Sequence, residues 1–485
     1  MIALKLDDLF TPIRNFRKVG DGNPEITSIE NDARAVQVGS LFICIKGYTV
    51  DGHDLAEEAV KKGAVAVVAD HLLSLTVPVV LVPDCHRVMA LLANIYYKSP
   101  TSAFKLVGVT GTNGKTSIAE MTEQIMEKLG AKTGLIGTRC IKINQQAEEA
   151  KMTTPESLTL QKHFANMREA QVECAIMEVS SHALELGRVH GCDFDIAVFT
   201  NLTSDHLDFH GTMDNYKLAK SLLFSQLGTN PDKLAILNAD EEDFELMKMV
   251  TQAQIVTYGL QAVADFFATD VQQSIKGTTF TLHTSTGCYP VQSNLIGTFN
   301  VYNLLAVIAI CVNMELDIQQ VIAAIAELET VSGRFEIIDE GQDFLVIVDY
   351  SHTPDSLEKA LLTIKEFASK RIFTVIGCGG ERDRMKRPIM AQVACELSDV
   401  AIFTMDNPRA ESQDVIFQDM EDGVRGYDYQ VIADRREAIE YAVRDARCGD
   451  IILIAGKGHE KYQIIGKEKL CFDDCVVARA AIKAR

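Results

Sequence analysis

The sequence predicts an α/β protein of three domains, with a central, mostly parallel sheet of the P-loop type and a C-terminal doubly wound, Rossmann-like sheet. Short apolar runs alternate with amphipathic helical segments along most of the chain. A Gly-rich turn lies directly between one apolar run and a helix. The length of 485 residues suits about three domains. We expect them to cover residues 1–100, 103–332 and 333–485.

Composition excludes several classes of partner. The formal net charge of −20 disfavours nucleic acid and anionic membranes, which are bound by clustered Lys and Arg. The N-terminus lacks a basic and apolar leader, and no run of about 18 apolar residues occurs. The 12 cysteines are scattered without a Cys-x-x-Cys pair, which indicates reduced, packed thiols. We therefore expect a cytoplasmic protein without membrane insertion, and a monomer.

The first domain is predicted to be small. Its expected strands are Ser40–Lys46, Ala64–Ala69 and Val77–Val82, and its expected helices are Leu55–Lys62 and His86–Tyr97. It contains neither a phosphate loop nor an acidic cluster, so we expect it to bind part of a substrate.

The central domain begins with the motif around which the chain is organised. Phe104–Val109 is predicted to be a buried strand, and a helix with apolar residues on one face follows the turn. The turn comprises Gly111, Thr112, Asn113, Gly114, Lys115, Thr116 and Ser117. Backbone N–H groups of such a turn bind phosphate, Lys115 can reach the outer phosphates, and the Thr116 hydroxyl can bind Mg²⁺. Val109 stands where the usual pattern has glycine, so a Gly-rich turn of an ordinary α/β protein is the alternative.

Polar residues follow the next two predicted strands, Glu173–Val179 and Phe194–Asn201. Ligands of open α/β sheets bind at the carboxyl ends of the strands, so Glu178 and His206 should converge with Lys115 and Thr116. An oxygen-rich Mg²⁺ site that bridges nucleotide phosphates is the resulting hypothesis. A capping or packing role for His206 is the alternative.

The last domain repeats the alternation of strands and helices. Expected strands are Phe344–Asp349, Arg371–Gly377, Asp399–Thr404 and Ile451–Ala455, and expected helices are Pro354–Ala368 and Arg435–Ala446. Three polar loops follow these strands: the basic loop Gly377–Pro388, then Asp406–Arg409, then Gly456–Glu460. A pocket with both charge signs suits a zwitterion such as an amino acid, although a solvated basic loop would give the same pattern.

Six motifs together resemble one family. They are Gly111–Thr116, Met152–Glu156, Glu178–His182, the 201–212 run, Asp349–Asp355 and Gly456–Glu460. They are similar to those of the Mur ligases, the ATP-dependent amide ligases of peptidoglycan synthesis, over nearly the whole chain. The resemblance implies that UDP-N-acetylmuramoyl-L-Ala-D-Glu is extended through an acyl phosphate. Asp406–Arg409 resembles the version that selects meso-diaminopimelate over L-lysine, because Arg409 can pair with the extra carboxylate.

The resemblance also implies residue roles. Catalysis would involve Lys115, Glu178, His206 and Lys220. Mg²⁺ would be held by Thr116, Glu178, His206 and Lys220 as a carbamate, although sequence alone suggests that Lys220 is a solvated helix lysine. Besides the phosphate loop, the nucleotide ATP would contact Asn300, Asn303, Arg334 and Asp349. The UDP-muramoyl substrate would contact Thr153, Thr154, Ser180 and Arg188. The amino acid would contact Arg382, Asp406, Asn407, Arg409, Gly456 and Glu460.

The chain departs from the family pattern at Ala33, Leu186, Met385 and Ser351. Ala33 replaces a serine hydroxyl expected to contact the nucleotide sugar, so restoring serine should tighten that substrate. A ligase for another amino acid, a folylpolyglutamate-synthase-like ligase and a P-loop ATPase remain alternatives. The ATPase would need no zwitterion pocket and would hydrolyse ATP without an acceptor.

Overall fold

The structure, a computed structural model, describes residues 4–47, 50–261 and 263–485. Residues 1–3 of the N-terminal stretch considered above lie outside the described residues. The N-terminal strands are β1 Leu4–Lys5, β2 Arg17–Val19, β3 Glu25–Ile26, β4 Ser28–Glu30, β5 Ser40–Ile43, β6 Ala64–Ala69 and β7 Val79–Leu81. The helices are α1 Leu6–Phe10, α2 Ala56–Lys62 and α3 Cys85–Tyr96, with short 3₁₀ turns at Gly52–Leu55 and Pro100–Ala103.

The N-terminal sheet runs in the order β2-β7-β6-β5-β4 and is parallel apart from β2. The expected strand Ser40–Lys46 ends early, at Ile43. The Ile45 carbonyl accepts a hydrogen bond from the Gly52 N–H in a turn, so the chain leaves the sheet there. Two apolar clusters, one on each face of the sheet, form the core of this region.

The central region follows in chain order. Its strands are β8 Lys105–Thr110, β9 Thr133–Ile136, β10 Cys140–Ile143, β11 Gln146–Glu149, β12 Cys174–Glu178, β13 Ile196–Phe199, β14 Leu234–Asn238, β15 Gln254–Gly259, β16 Phe266–Ser274, β17 Gly277–Thr284 and β18 Gly287–Ser293. Its helices are α4 Lys115–Lys128, α5 Ser157–Glu169, α6 Ser181–Glu185, α7 Leu207–His210, α8 Met213–Ser225, α9 Phe244–Val250, α10 Thr298–Asn313 and α11 Ile318–Ala326.

Strand β8 lies in the middle of the central sheet, with β12 on one side and β13 on the other, both parallel to it. The sheet order is β11-β10-β9-β12-β8-β13-β14-β15-β16-β17-β18, and the run from β9 to β16 is parallel. The carboxyl ends of β8, β12 and β13 therefore share one edge, as the sequence predicts.

The C-terminal region forms a separate sheet. Its strands are β19 Glu336–Ile338, β20 Leu345–Asp349, β21 Ile372–Ile376, β22 Val400–Phe403, β23 Tyr429–Val431, β24 Ile451–Ala455, β25 Tyr462–Ile465 and β26 Glu468–Cys471. Its helices are α12 Pro354–Phe367, α13 Lys386–Leu397, α14 Gln413–Glu421, α15 Arg435–Asp445 and α16 Asp474–Ala484. The order β19-β20-β24-β21-β22-β23 is parallel apart from β19, and apolar clusters cover both faces. The predicted doubly wound sheet is confirmed.

Two expectations from composition can be compared with the structure. Every cysteine carries a free thiol, and Cys44, Cys174 and Cys311 are buried as predicted. Among the described residues, we find no helix with the length and apolar character needed to cross a membrane.

Candidate active site

The turn between β8 and α4 forms a tight phosphate-type loop. Gly111 has φ +150°, and a Cβ atom there would lie 1.7 Å from the Thr200 Oγ1 atom. Gly114 has φ +88°, a conformation that favours glycine. The loop is held against β13 because the N–H of Thr112 donates to the Asn201 carbonyl and the Thr200 hydroxyl donates to the Asn113 carbonyl. The loop can therefore present its backbone and the N-terminus of α4 to an anion.

Two lysines meet at this loop, the half-buried Lys115 and the buried Lys220. Lys115 Nζ and Lys220 Nζ donate to the same carbonyl, that of Gly111, at 2.9 and 2.7 Å. The expectation of a solvated Lys220 is wrong, since the residue is only 1% exposed and its ammonium lies over the Tyr216 ring. Burial, and then the nearby Lys115 charge, hold the pKa of Lys220 well below its usual value. Burial lowers the pKa of Lys115 too.

Glu178, at the end of β12, is the centre of a hydrogen-bonded group. Its Oε2 atom accepts a bond from the Thr116 hydroxyl at 2.9 Å, and its Oε1 atom accepts one from the Thr138 N–H at 2.7 Å. The Thr138 hydroxyl also donates to Oε2, at 3.1 Å, and Arg334 donates to the Thr116 hydroxyl at 3.0 Å. A hydroxyl and a carboxylate side by side are hard oxygen ligands, so this donor set fits Mg²⁺. Sequence reasoning missed Thr138, which stands in no recognised motif.

His206 lies at the same edge but a little apart. It has φ +55°, a conformation that is uncommon for residues other than glycine, and is half-exposed. Its ring contacts the rings of His182 and Tyr216, and its Nε2 atom lies 3.4 Å from Asp205 Oδ2. Partial burial lowers the pKa of the imidazole, so it is neutral and able to bind a metal. The structure thus joins Thr116 directly to Glu178, whereas His206 reaches the loop through Tyr216, whose hydroxyl lies 3.1 Å from that of Thr112.

A cavity of about 470 Å³ opens beside the loop, between the central and C-terminal sheets. Predicted nucleotide residues that line it are Asn113, Gly114, Ser117, Asn303, Arg334 and Asp349. The Arg334 guanidinium lies over the Tyr350 ring, and Asp349 accepts bonds from the N–H groups of Phe335 and Ser351. Asn300 lies behind Asn303 and accepts its amide hydrogen bond, so it supports the wall of the cavity.

The residues expected to bind the UDP-muramoyl substrate form a chain that leads away from Glu178. The Thr154 hydroxyl donates to the Glu178 carbonyl at 2.8 Å and accepts from the Ser180 N–H. Arg188 donates to the Thr154 carbonyl, and the Thr153 hydroxyl lies 3.1 Å from that of Thr138. The four predicted residues are therefore neighbours on one side of the candidate metal ligands.

The loops after β22 and β24 form the predicted pocket with both charge signs. Lys457, which is fully buried, donates to Asp406 Oδ1 at 3.3 Å and to Glu460 Oε2 at 3.0 Å. Asn407 donates to Glu460 at 2.8 Å, and Gly456 leaves room for Asp406. Lys457 is part of the Gly456–Glu460 motif, and although the sequence analysis does not predict it as a site residue, it holds the two carboxylates in place.

Arg409 is held in place by hydrogen bonds to the backbone carbonyls of two other residues. Its guanidinium donates to the Gly380 carbonyl at 2.7 Å, and its N–H donates to Ile464. Among the described residues no carboxylate forms an ion pair with Arg409, and burial lowers its pKa, with the nearby Arg382 adding to the effect. The guanidinium is thus positioned to receive a carboxylate from a ligand.

The basic loop 377–388 is only partly an anion site. Arg384 pairs with Asp419, and the fully buried Arg387 pairs with Asp419 and Glu411, so these two cations stabilise the fold. The exposed Arg382 and the half-buried Lys386 carry no such ion pair in the described part of the chain.

The structure shows the surroundings of the four residues that differ from the family pattern, and it gives a physical context for two of them. Ala33 is 3% exposed and packs in an apolar cluster with Val36 and Phe42, so the structure does not support the expectation that a hydroxyl there would contact substrate. The Ser351 hydroxyl donates to Asp349 and to the Ser356 carbonyl. Met385 is exposed and Leu186 is half-buried, and no contact explains either substitution.

The fold and the site together define a P-loop nucleotide-binding enzyme that has a second, charged pocket at the C-terminal sheet. Three family models match the chain: "Mur ligase family, catalytic domain" at residues 25–97, "Mur ligase middle domain" at 109–311, and "Mur ligase, glutamate ligase domain" at 333–458. The chain belongs to the Mur ligase family and is an ATP-dependent ligase.

Similar proteins cover the full length. UDP-N-acetylmuramoyl-L-alanyl-D-glutamate--2,6-diaminopimelate ligase of Geobacillus thermodenitrificans is 52% identical over 99% of this chain and 100% of its own. A solved structure of a ligase of that name is 34% identical, with a TM-score of 0.72 over 100% of this chain and 99% of its own. Folylpolyglutamate synthase of Mycobacterium tuberculosis, with ADP and AMPPCP, is 18% identical with a TM-score of 0.65, over 82% of this chain and 94% of its own, which shows a common fold alone.

Proposed function

We propose that this chain joins meso-diaminopimelate to UDP-N-acetylmuramoyl-L-Ala-D-Glu, with ATP cleaved to ADP and phosphate, as a step of peptidoglycan precursor synthesis. The observation that carries the proposal is Arg409, a half-buried guanidinium without an ion-pair partner in the described chain, beside a pocket with balanced charges. The second carboxylate of diaminopimelate would pair with it, and L-lysine has no such group. The full-length similarity to ligases of that name supports the same substrate.

The residues around the phosphate loop would bind ATP. The loop N–H groups and Lys115 would hold the phosphates, and Asp349 and Arg334 would contact the nucleotide in the cavity. Mg²⁺ would be held by Thr116, Glu178 and His206, with Lys220 as a carbamate, and when bound it would offset phosphate charge. Lys220 suits this role because burial and the nearby Lys115 charge lower its pKa and so favour the uncharged amine, the form that reacts with CO₂.

The chemistry would proceed in two steps. A carboxylate oxygen of the substrate attacks the γ-phosphorus, and the bond to ADP breaks, giving an acyl phosphate. The amine of diaminopimelate then attacks the acyl carbon, phosphate leaves, and the nitrogen loses a proton. Thr153, Thr154, Ser180 and Arg188 would position the first substrate beside the loop. Asp406, Asn407, Gly456, Glu460, Arg409 and Arg382 would hold the second.

Each of the three regions would bind a different substrate. We infer that residues 1–100 bind the UDP-sugar end, 103–332 bind ATP and Mg²⁺, and 333–485 bind the amino acid. Since all of these substrates are soluble, we infer a cytoplasmic monomer that does not insert into membranes. Light scattering during size-exclusion chromatography tests the oligomeric state, and a mass near 53.4 kDa would agree with it.

Phosphate release tests the function. The full chain is incubated with ATP, Mg²⁺ and UDP-N-acetylmuramoyl-L-Ala-D-Glu, together with meso-diaminopimelate, L-lysine, L-ornithine or no acceptor. Release with diaminopimelate alone, and a tripeptide product by mass, is expected. A preference for another amine would retain the ligase and reject the specificity. Equal release without acceptor would support an ATPase.

A further inference from the structure

A group of histidines and aspartates lies at the carboxyl edge of the N-terminal sheet, far along the chain from the phosphate loop. His53 is in the 3₁₀ turn that follows β5, and Asp70 and His71 come directly after β6. Strands β5 and β6 are parallel neighbours, with Ile43 opposite Val68, so their carboxyl ends meet. The topology therefore brings together side chains that are 17 positions apart in sequence.

We propose that His53, Asp70 and His71 form a binding site for a divalent transition-metal ion such as Zn²⁺. The three side chains offer one ligand atom each, and these atoms all lie within 4.8 Å of one another. Asp70 Oδ1 lies 3.2 Å from His53 Nε2 and 2.6 Å from His71 Nδ1. This site is independent of the proposed ligase function.

The hydrogen bonds of His53 point to a cation at its Nε2 atom. Its Nδ1 atom lies 2.6 Å from Asp51 Oδ1, and a carboxylate only accepts, so Nδ1 carries the proton. Nε2 then has a lone pair, which accepts a long hydrogen bond of 3.4 Å from the Asp70 N–H and also lies 3.2 Å from the Asp70 Oδ1 atom, another acceptor. A cation bound to both atoms would remove the repulsion between these two acceptors, which the long bond from the Asp70 N–H leaves in place. The His53 side chain is 5% exposed, so little water reaches Nε2 to donate a hydrogen bond to it.

The same geometry matches known metal sites. A metal-bound histidine commonly donates its other ring N–H to a carboxylate, as His53 does to Asp51. With bonds of roughly 2.0–2.1 Å, ligands of a tetrahedral ion lie roughly 3.3 Å apart. The pair His53 Nε2 and Asp70 Oδ1 already has that spacing. The shorter contact between Asp70 and His71 would lengthen on binding.

The ligand types select the metal. Two imidazoles and a carboxylate suit Zn²⁺, Ni²⁺ or Cu²⁺, whereas Mg²⁺ and Ca²⁺ require mostly oxygen ligands. His71 and Asp70 are about half exposed, so the ion can enter from solvent. The bound ion would tie the 3₁₀ turn to the end of β6. The bond from the Asp70 N–H to His53 Nε2 is the alternative account of these contacts, and it predicts that no metal binds here.

Metal titration of the full chain tests the proposal. The metal-free protein is titrated with Zn²⁺ in competition with a chromophoric chelator, in excess Mg²⁺ to occupy the hard-cation site near the phosphate loop. We expect wild-type protein to bind one equivalent at this site. His71→Ala and Asp70→Asn should each weaken binding by about 10- to 100-fold, and Asp51→Asn by about 10-fold. His190→Ala, a histidine outside the cluster, should leave binding unchanged.

Two further readouts make the outcome decisive. Co²⁺ should give a visible spectrum that His71→Ala removes, and Zn²⁺ should raise the Tm of wild-type protein but not that of this variant. His71 is 59% exposed on its side chain, so the variant should fold. Equal Zn²⁺ binding by wild type and His71→Ala would overturn the proposal. Absence of binding by wild type would overturn it too, and would assign the contacts to hydrogen bonds alone, among them that from the Asp70 N–H to His53.

Discussion

The phosphate loop and the C-terminal pocket each contain a buried lysine, but among the described residues only the lysine of the C-terminal pocket is paired with carboxylates. Lys457 is surrounded by carboxylates, at 3.3 Å from Asp406 and 3.0 Å from Glu460. Lys115 and Lys220 share one carbonyl oxygen and, within the described residues, form no ion pair. The C-terminal pocket is therefore balanced without a ligand, whereas the two amines at the loop lie close together without an ion pair in the described chain, and the pKa of each is lowered. The difference distinguishes charges that maintain the fold from charges that act on substrates.

The largest effect should come from breaking a balanced pair. Arg435 and Asp474 are fully buried and joined by two bonds of 2.8 and 2.7 Å. Asp474→Ala leaves a buried guanidinium without its carboxylate, so the free energy of unfolding should fall by about 3–5 kcal/mol. Urea denaturation measures it, and Asp428→Ala, at an exposed position, should change it by less than about 0.5 kcal/mol. Equal losses in both variants would contradict the role of the pair.

Removing a lysine that has no ion-pair partner in the part of the chain described should affect catalysis more than stability. Lys220→Ala deletes a desolvated amine but leaves a cavity, so stability should fall less than in Asp474→Ala, whereas kcat should drop by about 10²–10³-fold, comparable to loss of a transition-state contact. Formate or acetate should restore part of the activity if a carbamate is the working group. Lys217→Ala is the control, because Lys217 is on the same helix but pairs with Asp243. An unchanged kcat in Lys220→Ala would remove Lys220 from the mechanism.

Sequence alone predicted much of the central edge because the signals are local. A strand, a Gly-rich turn and an amphipathic helix are adjacent in the chain, and β12 and β13 do flank β8. The environment of Lys220 could not be predicted in this way. Its burial depends on where α8 packs relative to the loop, and that is a tertiary property. The same holds for Thr138, whose two bonds to Glu178 span 40 positions.

The basic loop shows the limit of reading charge from composition. Four cations within six positions suggested an anion site, but Arg384 and Arg387 are neutralised by Asp419 and Glu411, which lie on a later segment. Which cations remain for a ligand is decided by partners distant in sequence. By contrast, the Asp406–Arg409 motif is compact, so its residues could be identified, although their roles remain predictions.

Among the residues described, Arg409 is the half-buried, unpaired cation that we assign to the second carboxylate of diaminopimelate, whereas the unpaired Arg382 is exposed. Arg409→Lys retains the charge but loses the planar fork, so it should raise the KM for meso-diaminopimelate by about 10- to 100-fold, equivalent to about 1.5–3 kcal/mol. The ratio of kcat/KM for meso-diaminopimelate to kcat/KM for L-lysine should fall by a similar factor. Arg425→Lys, an exposed arginine, serves as control. An unaltered preference would show that another group reads the second carboxylate.

Substitution of Thr138 tests whether the hydrogen bonds to Glu178 affect catalysis and Mg²⁺ binding. Thr138→Val removes the hydroxyl bond of 3.1 Å but retains the backbone bond of 2.7 Å. The loss of one such bond, about 1 kcal/mol, should reduce kcat/KM by about fivefold and raise the Mg²⁺ concentration required. Thr286→Val on an exposed hairpin should do neither. An unchanged Mg²⁺ requirement would make Thr138 a structural residue only.

The smallest effect concerns Ser351, where the family pattern has alanine. Burial raises the pKa of Asp349, and the Ser351 hydroxyl that donates to it acts in the opposite direction. Ser351→Ala removes a donor that favours the carboxylate, so the pKa of Asp349 should rise further. If Asp349 binds the nucleotide in its ionised form, the acid limb of 1/KM for ATP should move to higher pH, with a change of about two- to fivefold at low pH. Ser412→Ala, an exposed serine without a side-chain cap bond, should leave the profile unchanged. Superimposable profiles for wild type and Ser351→Ala would mean that the carboxylate is held by its backbone donors alone.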